Sequence, residues 1–180
     1  MNADLLLQLV NDILDMSKIE AGTLEFVYTK VDINLLLSDL RQLFQMRVND
    51  AGKNIQIIAE PSLPSCSIET DRNRVAQVLS NFTTNAIKFT QEGTISIGYE
   101  ARDTELYFYV TGAGIPADKL PEVFGRFVKL NKDKKGTGLG LSISKTIVNK
   151  LEGQIGADSV EGKGSTFWFT IPYRTCGRPE

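Results

Sequence analysis

Residues Asp71 to Phe89 read as a helix with two faces that both need a partner, and that narrows what the chain can fold into. Val75, Val78, Leu79, Phe82 and Ala86 share one side at the spacing of an amphipathic helix. That side must lie on a core. Arg74, Gln77, Asn81, Asn85 and Lys88 form a second stripe, within roughly 80° of one another at ~100° per residue. Asparagine is a poor helix-interior residue because its side chain competes for backbone hydrogen bonds, so two at a spacing of four call for a cause. Two readings of the stripe are open. It is a solvated polar face, or it offers carboxamide oxygens to a hard cation such as magnesium that also carries phosphate oxygens and water, with Lys88 adding positive charge on the same side.

The rest of the chain alternates helical and extended patterns. Leu6, Leu9, Val10, Ile13, Leu14 and Met16 give a broad apolar face to a helix from about Ala3 to Glu20, with Gly22 as its stop. Such a face fits either packing on the following domain or one half of a helical hairpin or dimeric bundle, and the density of leucines favours the second. Thr23 to Tyr28 reads as an extended link. Asp32 is placed to cap a helix from Ile33 to about Ala51, ended by Gly52, with Leu36, Leu40, Leu43 and Phe44 turned inward. Strands are expected at Ile55 to Ala59, Ser67 to Glu69, Thr94 to Glu100 and Glu105 to Val110, the last two joined at Arg102-Asp103-Thr104. Leu106, Phe108 and Val110 alternate with Tyr107 and Tyr109, so one face of that strand is core. A further helix from about Gly138 to Leu151 precedes a hairpin of Gly153 to Asp158 and Ser165 to Ile171. Helices mixed with antiparallel neighbours predict an α/β (α+β) two-layer sandwich of a mixed sheet and helices.

Composition removes several function classes. The chain has 180 residues, 42% hydrophobic and 23% charged, enough for one main domain with a sizeable core. Its net charge of −2, with no Lys/Arg run longer than two, offers no basic surface for nucleic acid. Cys66 and Cys176 lack metal-ligand spacing, and the chain contains no histidine, so a zinc site would need an unusual ligand set; both are expected as reduced thiols. No stretch reaches the ~20 apolar residues of a membrane-spanning helix, and Met1-Asn2-Ala3-Asp4 lacks a basic signal-peptide start. A cytoplasmic chain is expected, and its opening inside an apolar helix suggests a piece of something longer.

Gly136-Thr137-Gly138-Leu139-Gly140-Leu141 leads into the helix whose apolar positions Leu139, Ile143, Ile147 and Leu151 repeat every four residues. Small residues there let backbone amides approach an anion at a helix N-terminus. The pattern is neither a P-loop, which needs Gly-Lys-Ser/Thr, nor a dinucleotide fingerprint, which follows a strand. Two more glycine clusters stand at Gly112-Ala113-Gly114-Ile115-Pro116 and Gly162-Lys163-Gly164-Ser165-Thr166-Phe167, the second readable as a tight turn. Beside the asparagine helix, the Gly136 loop reads as the other half of a magnesium nucleotide pocket.

In this order the elements resemble the catalytic, ATP-binding domain of two-component sensor histidine kinases, within the Bergerat-type ATPase superfamily. Asn81 to Thr90 is similar to the N box, Gly112 to Pro116 to the first glycine box, Val123 to Leu130 to the F box, Gly136 to Leu141 to the second glycine box and Gly162 to Phe167 to the third. Ile13 to Gly22 resembles the end of the second helix of the dimerisation and histidine phosphotransfer domain. The resemblance implies that residues 1–22 are part of that helical hairpin, 23–175 the ATP-binding domain and 176–180 a tail. It implies ATP and magnesium as cofactors, with Asn85, helped by Asn81, positioning the metal and Lys88 meeting phosphate. Phe89 would lie beside the nucleotide. Lys129 and Arg126 would meet the terminal phosphate and act with Asn81 in transfer. Gly112 and Gly114 would line the pocket, Gly136, Thr137, Gly138, Leu139, Gly140 and Leu141 would serve the phosphates, and Ile115 and Thr166 would flank the adenine. The run Asn131 to Lys135, in the lid from Val128 to Lys135, is a solvated loop or an added attraction for phosphate. Implied partners are a histidine-bearing phosphotransfer helix, a response-regulator receiver domain and a second copy through the N-terminal helix.

Two departures bear on function. The family phosphorylates a histidine on the first bundle helix, and this chain has none, so autophosphorylation needs a histidine from elsewhere. The first glycine box normally begins with an aspartate that accepts a hydrogen bond from the adenine amino group; Val110 stands there, and aligned from the strand side two residues are missing around Thr111 and Gly112. Neither alignment supplies the carboxylate, and Asp103 and Asp118 are poorly placed to replace it. Two alternatives to a kinase domain follow: an interaction module that no longer holds nucleotide, and a Bergerat-type ATP hydrolase. The hydrolase relatives carry a water-activating glutamate one turn before the magnesium asparagine, where this chain has Asn81.

Overall fold

The computed structural model describes residues 3–90, 92–112, 139–160 and 164–172. Helix α1 spans Ala3–Ala21, β1 Thr29–Asp32, α2 Ile33–Asp50, β2 Asn54–Glu60, β3 Ser67–Thr70, α3 Arg72–Phe89, β4 Glu92–Ala101, β5 Glu105–Gly112, α4 Leu139–Lys150, β6 Ile155–Val160 and β7 Gly164–Pro172. Five strands form one mixed sheet in the order β2-β4-β5-β7-β6, and β1 and β3 form a separate two-stranded ribbon. The β2–β4 pair is parallel, joined by the crossover that contains α3, while the other three pairs are antiparallel.

Local chemistry sets the helix boundaries as expected. Asp32 accepts from the Leu35 amide at 3.0 Å and Asp71 from the Arg74 amide at 3.0 Å, each filling one orphan donor of a first turn. Gly52 leaves α2 at φ +72°, a left-handed conformation that costs glycine little. The Lys53 amide then closes back on Val48 O at 3.0 Å. One strand had no sequence expectation, and one expectation needs correction. Residues 29–32, which follow the expected link of Thr23 to Tyr28, form a strand paired with β3, with the Val31 side chain buried. Leu43 is not inward but 42% exposed; the inner face of α2 is Ile33, Leu36, Leu37, Leu40, Phe44 and Val48.

Among the described residues the helices pack on one face of the sheet. Ile95, Ile97, Leu106, Phe108, Val110, Phe167 and Phe169 meet α3 and its neighbours there, and each is at most 2% exposed. Phe82 of α3 sits 5.4 Å from Phe167 and 5.9 Å edge-on from Phe169, which stacks on Phe108 at 4.8 Å. This cluster seats α3 on the centre of the sheet.

The opposite face carries its own aromatic group. Tyr107 lies 5.6 Å from Trp168 and 6.1 Å from Tyr109, with the Arg102 guanidinium 4.1 Å above its ring. Close approach requires glycine beneath these rings: a Cβ on Gly98 would come 2.6 Å from Tyr109 Oη, and one on Gly156 2.5 Å from the Trp168 ring. The Tyr109 hydroxyl donates to Glu60 Oε1 at 2.7 Å.

Burial pushes the Tyr109 phenol well up, and the bond to Glu60 and nearby carboxylates push the same way. Tyr107 is raised by burial and then by Asp158, with Arg102 opposing. Both protons are therefore held more tightly in the folded chain than at the ordinary value of 10.0. The resulting stability is complete below that value and is lost as pH rises through the folded values. Thermal unfolding from about pH 8 to about pH 12 should show a steeper alkaline loss for the natural chain than for the Y107F/Y109F variant, which has neither proton to lose.

Candidate functional site

Helix α3 carries the polar stripe, and the stripe is not a solvated face. Asn81 is only 6% exposed, and its Nδ2 donates to Ser144 Oγ of α4 at 3.0 Å. Asn85, half-buried one turn later, donates from Nδ2 to the Asn81 carbonyl at 2.8 Å. That back-bond, an arrangement open to short amide side chains in helices, commits the nitrogen end of Asn85 to the chain and does not engage Oδ1. Gln77 and Arg74, toward the start of the stripe, are covered by α1 through Asp15. Lys88 is half-buried in the last turn of α3.

The Asn81–Ser144 bond also fixes α4 beside α3. Helix α4 includes Leu139, Gly140 and Leu141 in its first turn, with no acidic residue there to occupy the amide end. Ser144 is fully buried. It is the site residue that sequence reading missed, because a serine beside Ile143 on an apolar helix carries no signal of its partner.

From the sheet side, Gly112 ends β5 against the last turn of α3. A Cβ there would lie 3.1 Å from both Ala86 Cβ and Thr90 Oγ1, so a glycine lets the strand end come within reach of the asparagine helix. Thr166 is not brought to this place. It pairs with Thr111 and alternates with Phe167, which stacks on Phe82, so it lies on the face of the sheet away from α3. The strand pleat thus removes Thr166 from the group formed by Asn81, Asn85 and Gly112. Gly114, Ile115, Arg126, Lys129, Gly136, Thr137 and Gly138 lie outside the described residues, as do Cys176 and Asp118.

The missing carboxylate is visible in the strand. Val110 is completely buried, paired with Ile97 and Phe167 in the core layer. Asp103 belongs to the turn closed by Arg102 N donating to Glu105 O at 2.9 Å. That turn is at the far end of β5, roughly 23 Å along the strand from Gly112 at ~3.3 Å per residue. Asp71 is spent capping α3 at its other end. Among the described residues no group of three or more His, Cys, Asp or Glu converges.

Comparisons agree with the geometry. Residues 70–175 match the family model described as histidine kinase-, DNA gyrase B-, and HSP90-like ATPase. The sensor histidine kinase WalK of Bacillus subtilis is 35% identical over 94% of this chain and 29% of its own length. The chain spans less than a third of the length of such curated relatives. Its structure is similar to full-length ShkA in complex with AMPPNP, at TM-score 0.85 and 34% identity, over 97% of this chain and 37% of that one. It is also similar to the histidine kinase ThkA in complex with the response regulator protein TrrA, at TM-score 0.72 and 28% identity, over 95% and 50% of the two chains.

Removing the α3–α4 tie with Ser144→Ala takes the acceptor from a buried Asn81 donor and should lower stability by about 1–3 kcal/mol. Urea unfolding measures this, with an unchanged slope if the folded state is otherwise intact.

Proposed function

Because the chain belongs to the histidine kinase-, DNA gyrase B-, and HSP90-like ATPase family, we propose that it is the magnesium-ATP-binding domain of a sensor histidine kinase. Residues 23–175 form that domain, residues 1–22 the end of a dimerisation and phosphotransfer hairpin, and 176–180 a tail. The parent protein transfers the γ-phosphoryl group of ATP to a histidine and then to a response-regulator receiver domain. The reading is supported most by the asparagine pair on α3, one member tied to the glycine-loop helix and the other with an Oδ1 that its back-bond does not engage.

Bound magnesium-ATP supplies the γ-phosphoryl group, whose bond to the ADP oxygen breaks as a bond to an imidazole nitrogen forms. The chain positions and neutralises charge, the dominant contributions in phosphoryl transfer. Asn85, with Asn81 behind it, orients the metal-bearing phosphates. Lys88 adds a cation on the same stripe, and Phe89 ends α3 beside the base. Amides at the start of α4 and the glycines before it face the phosphates. Arg126 and Lys129 complete the set from the F box. The acceptor histidine comes from a phosphotransfer helix outside this sequence, which has none. Among the described residues no helix is long and apolar enough to cross a membrane, in keeping with a cytoplasmic place for this domain.

A hydrolase is disfavoured by Asn81, a neutral amide engaged with Ser144 where a water-activating carboxylate is required. The absent adenine acceptor weakens but does not abolish binding on this reading. A lost charge-assisted bond costs about 1.5–3 kcal/mol, roughly ten- to a hundredfold in affinity.

Calorimetric titration with a non-hydrolysable ATP analogue and magnesium, repeated with the GTP analogue, should show weak binding with little preference for adenine. Asn85→Ala should abolish it while leaving thermal unfolding within a few degrees of the natural chain. Inserting Ser-Asp between Val110 and Thr111 should raise affinity for the ATP analogue roughly ten- to a hundredfold and leave the GTP analogue unchanged. Absence of nucleotide binding in both the natural and the insertion chain would overturn the kinase reading in favour of an interaction module.

A further inference from the structure

We propose that Arg74 and Asp15 form a latch that holds the end of α1 and the following link on the first turn of α3, and that its closure is coupled to loading of the nucleotide site. The coupling rests on the nucleotide reading above; the latch itself stands on geometry alone. Arg74 is a positioning residue in this scheme, since it touches no substrate.

The guanidinium gathers four contacts from three parts of the chain. Arg74 Nη1 lies 3.6 Å from Asp15 Oδ1 and donates to Gln77 Oε1 at 3.0 Å. Arg74 Nη2 reaches the Glu25 carbonyl at 3.4 Å, and its carbon stands 5.6 Å over the Phe26 ring. Gln77 Nε2 closes the triangle by donating to Asp15 Oδ2 at 2.6 Å. The side chains of Arg74 and Asp15 are 17% and 16% exposed, which removes much of the screening that makes surface ion pairs weak. Beside them the Val27 amide donates to Asp71 Oδ2 at 2.7 Å, so the α3 cap also grips the link.

Among the described side chains, α1 is buried only toward its C-terminal end. Met16 is buried near the latch, whereas Leu7, Val10, Ile13 and Leu14 are 44–60% exposed. The joint combines these directed polar contacts with an apolar seat of Met16, Ile19 and Leu24, so opening it uncovers a few side chains and not a whole helix face. The joint also meets both helices of the site. Gln77 precedes Asn81 by one turn on the same stripe, α1 packs on α4, and α4 is tied to Asn81 through Ser144. A ligand that steadies α3 against α4 therefore favours the closed latch, and by linkage a closed latch raises affinity for that ligand by the same factor.

Hydrogen exchange on the 180-residue chain tests this, using D15A, R74A, the double variant and the exchanged pair D15R/R74D. Without nucleotide, D15A and R74A should each speed exchange of amides in the second half of α1 and in residues 23–28 by roughly tenfold, with β4 and β5 unchanged. The double variant should go no further than either single one, and the exchanged pair should recover much of the protection. Unaltered α1 exchange in both single variants would overturn the latch. So would acceleration shared equally by β4 and β5, the mark of general destabilisation. Magnesium with a non-hydrolysable ATP analogue should slow α1 exchange in the natural chain but not in R74A. Analogue binding, followed by calorimetry on the same samples, without any change at α1 would overturn the coupling alone; a natural chain that binds no analogue would also overturn the coupling, and if the insertion chain fails to bind as well the nucleotide reading falls with it, leaving the latch to the ligand-free arms.

Discussion

Everything assigned to the site hangs on how α3 is seated. Phe82 is enclosed by Phe167 and Phe169 on the sheet, and that contact fixes which way the remaining sides of the helix point. With the apolar face buried, the polar stripe is presented laterally, where its later part meets α4 and its earlier part meets α1. A single helix thus satisfies a core, a ligand face and a joint, and its 18 residues leave little of its surface unassigned. The energetics follow the same division. Apolar burial supplies most of the stabilisation, while the stripe contributes direction more than strength because each polar contact nets only about 1 kcal/mol.

The elements that a local pattern could announce were legible in the sequence. Asp32, Asp71 and Gly52 ended or began helices as their chemistry dictates, and alternation in β5 identified its core side. What stayed hidden depends on pairing across long separations. The strand at Ser67 was expected, but its partner β1 lies in residues too few and too polar to show a period, and Leu43 shares a helical arc with core leucines yet falls just beyond the sheet's cover. In the site, Asn81 and Asn85 were conspicuous because asparagine is out of place mid-helix. Ser144 and Asp15 were not, since nothing in their neighbours in the chain points to partners 63 and 62 residues away. Thr166 shows the reverse error: motif order put it near the base, but strand pleating sets it on the far face.

The two faces of the sheet solve different problems. On the helix side, rings and branched side chains interlock with three helices. On the other, among the described residues no helix covers Tyr107, Tyr109 and Trp168, and these rings pack on one another, lying low over Gly98 and Gly156. The glycines are thus spacers for the rings, with their positions set by sterics.

The register between β5 and β7 carries a last implication. These strands are adjacent in the sheet, paired without a break from Glu105–Pro172 to Gly112–Ser165, although residues 113–163 separate them in the chain. Whatever the glycine-rich segment contains is thus an excursion from a closure made elsewhere, and a longer or shorter excursion alters closure entropy by only about 0.6 kcal/mol per doubling. Scaffold and base recognition are separable on these terms. A chain of this design can shed the residues that choose a nucleotide and still arrive at the same shape, so selection on ligand choice and selection on foldability act on different stretches of one sequence.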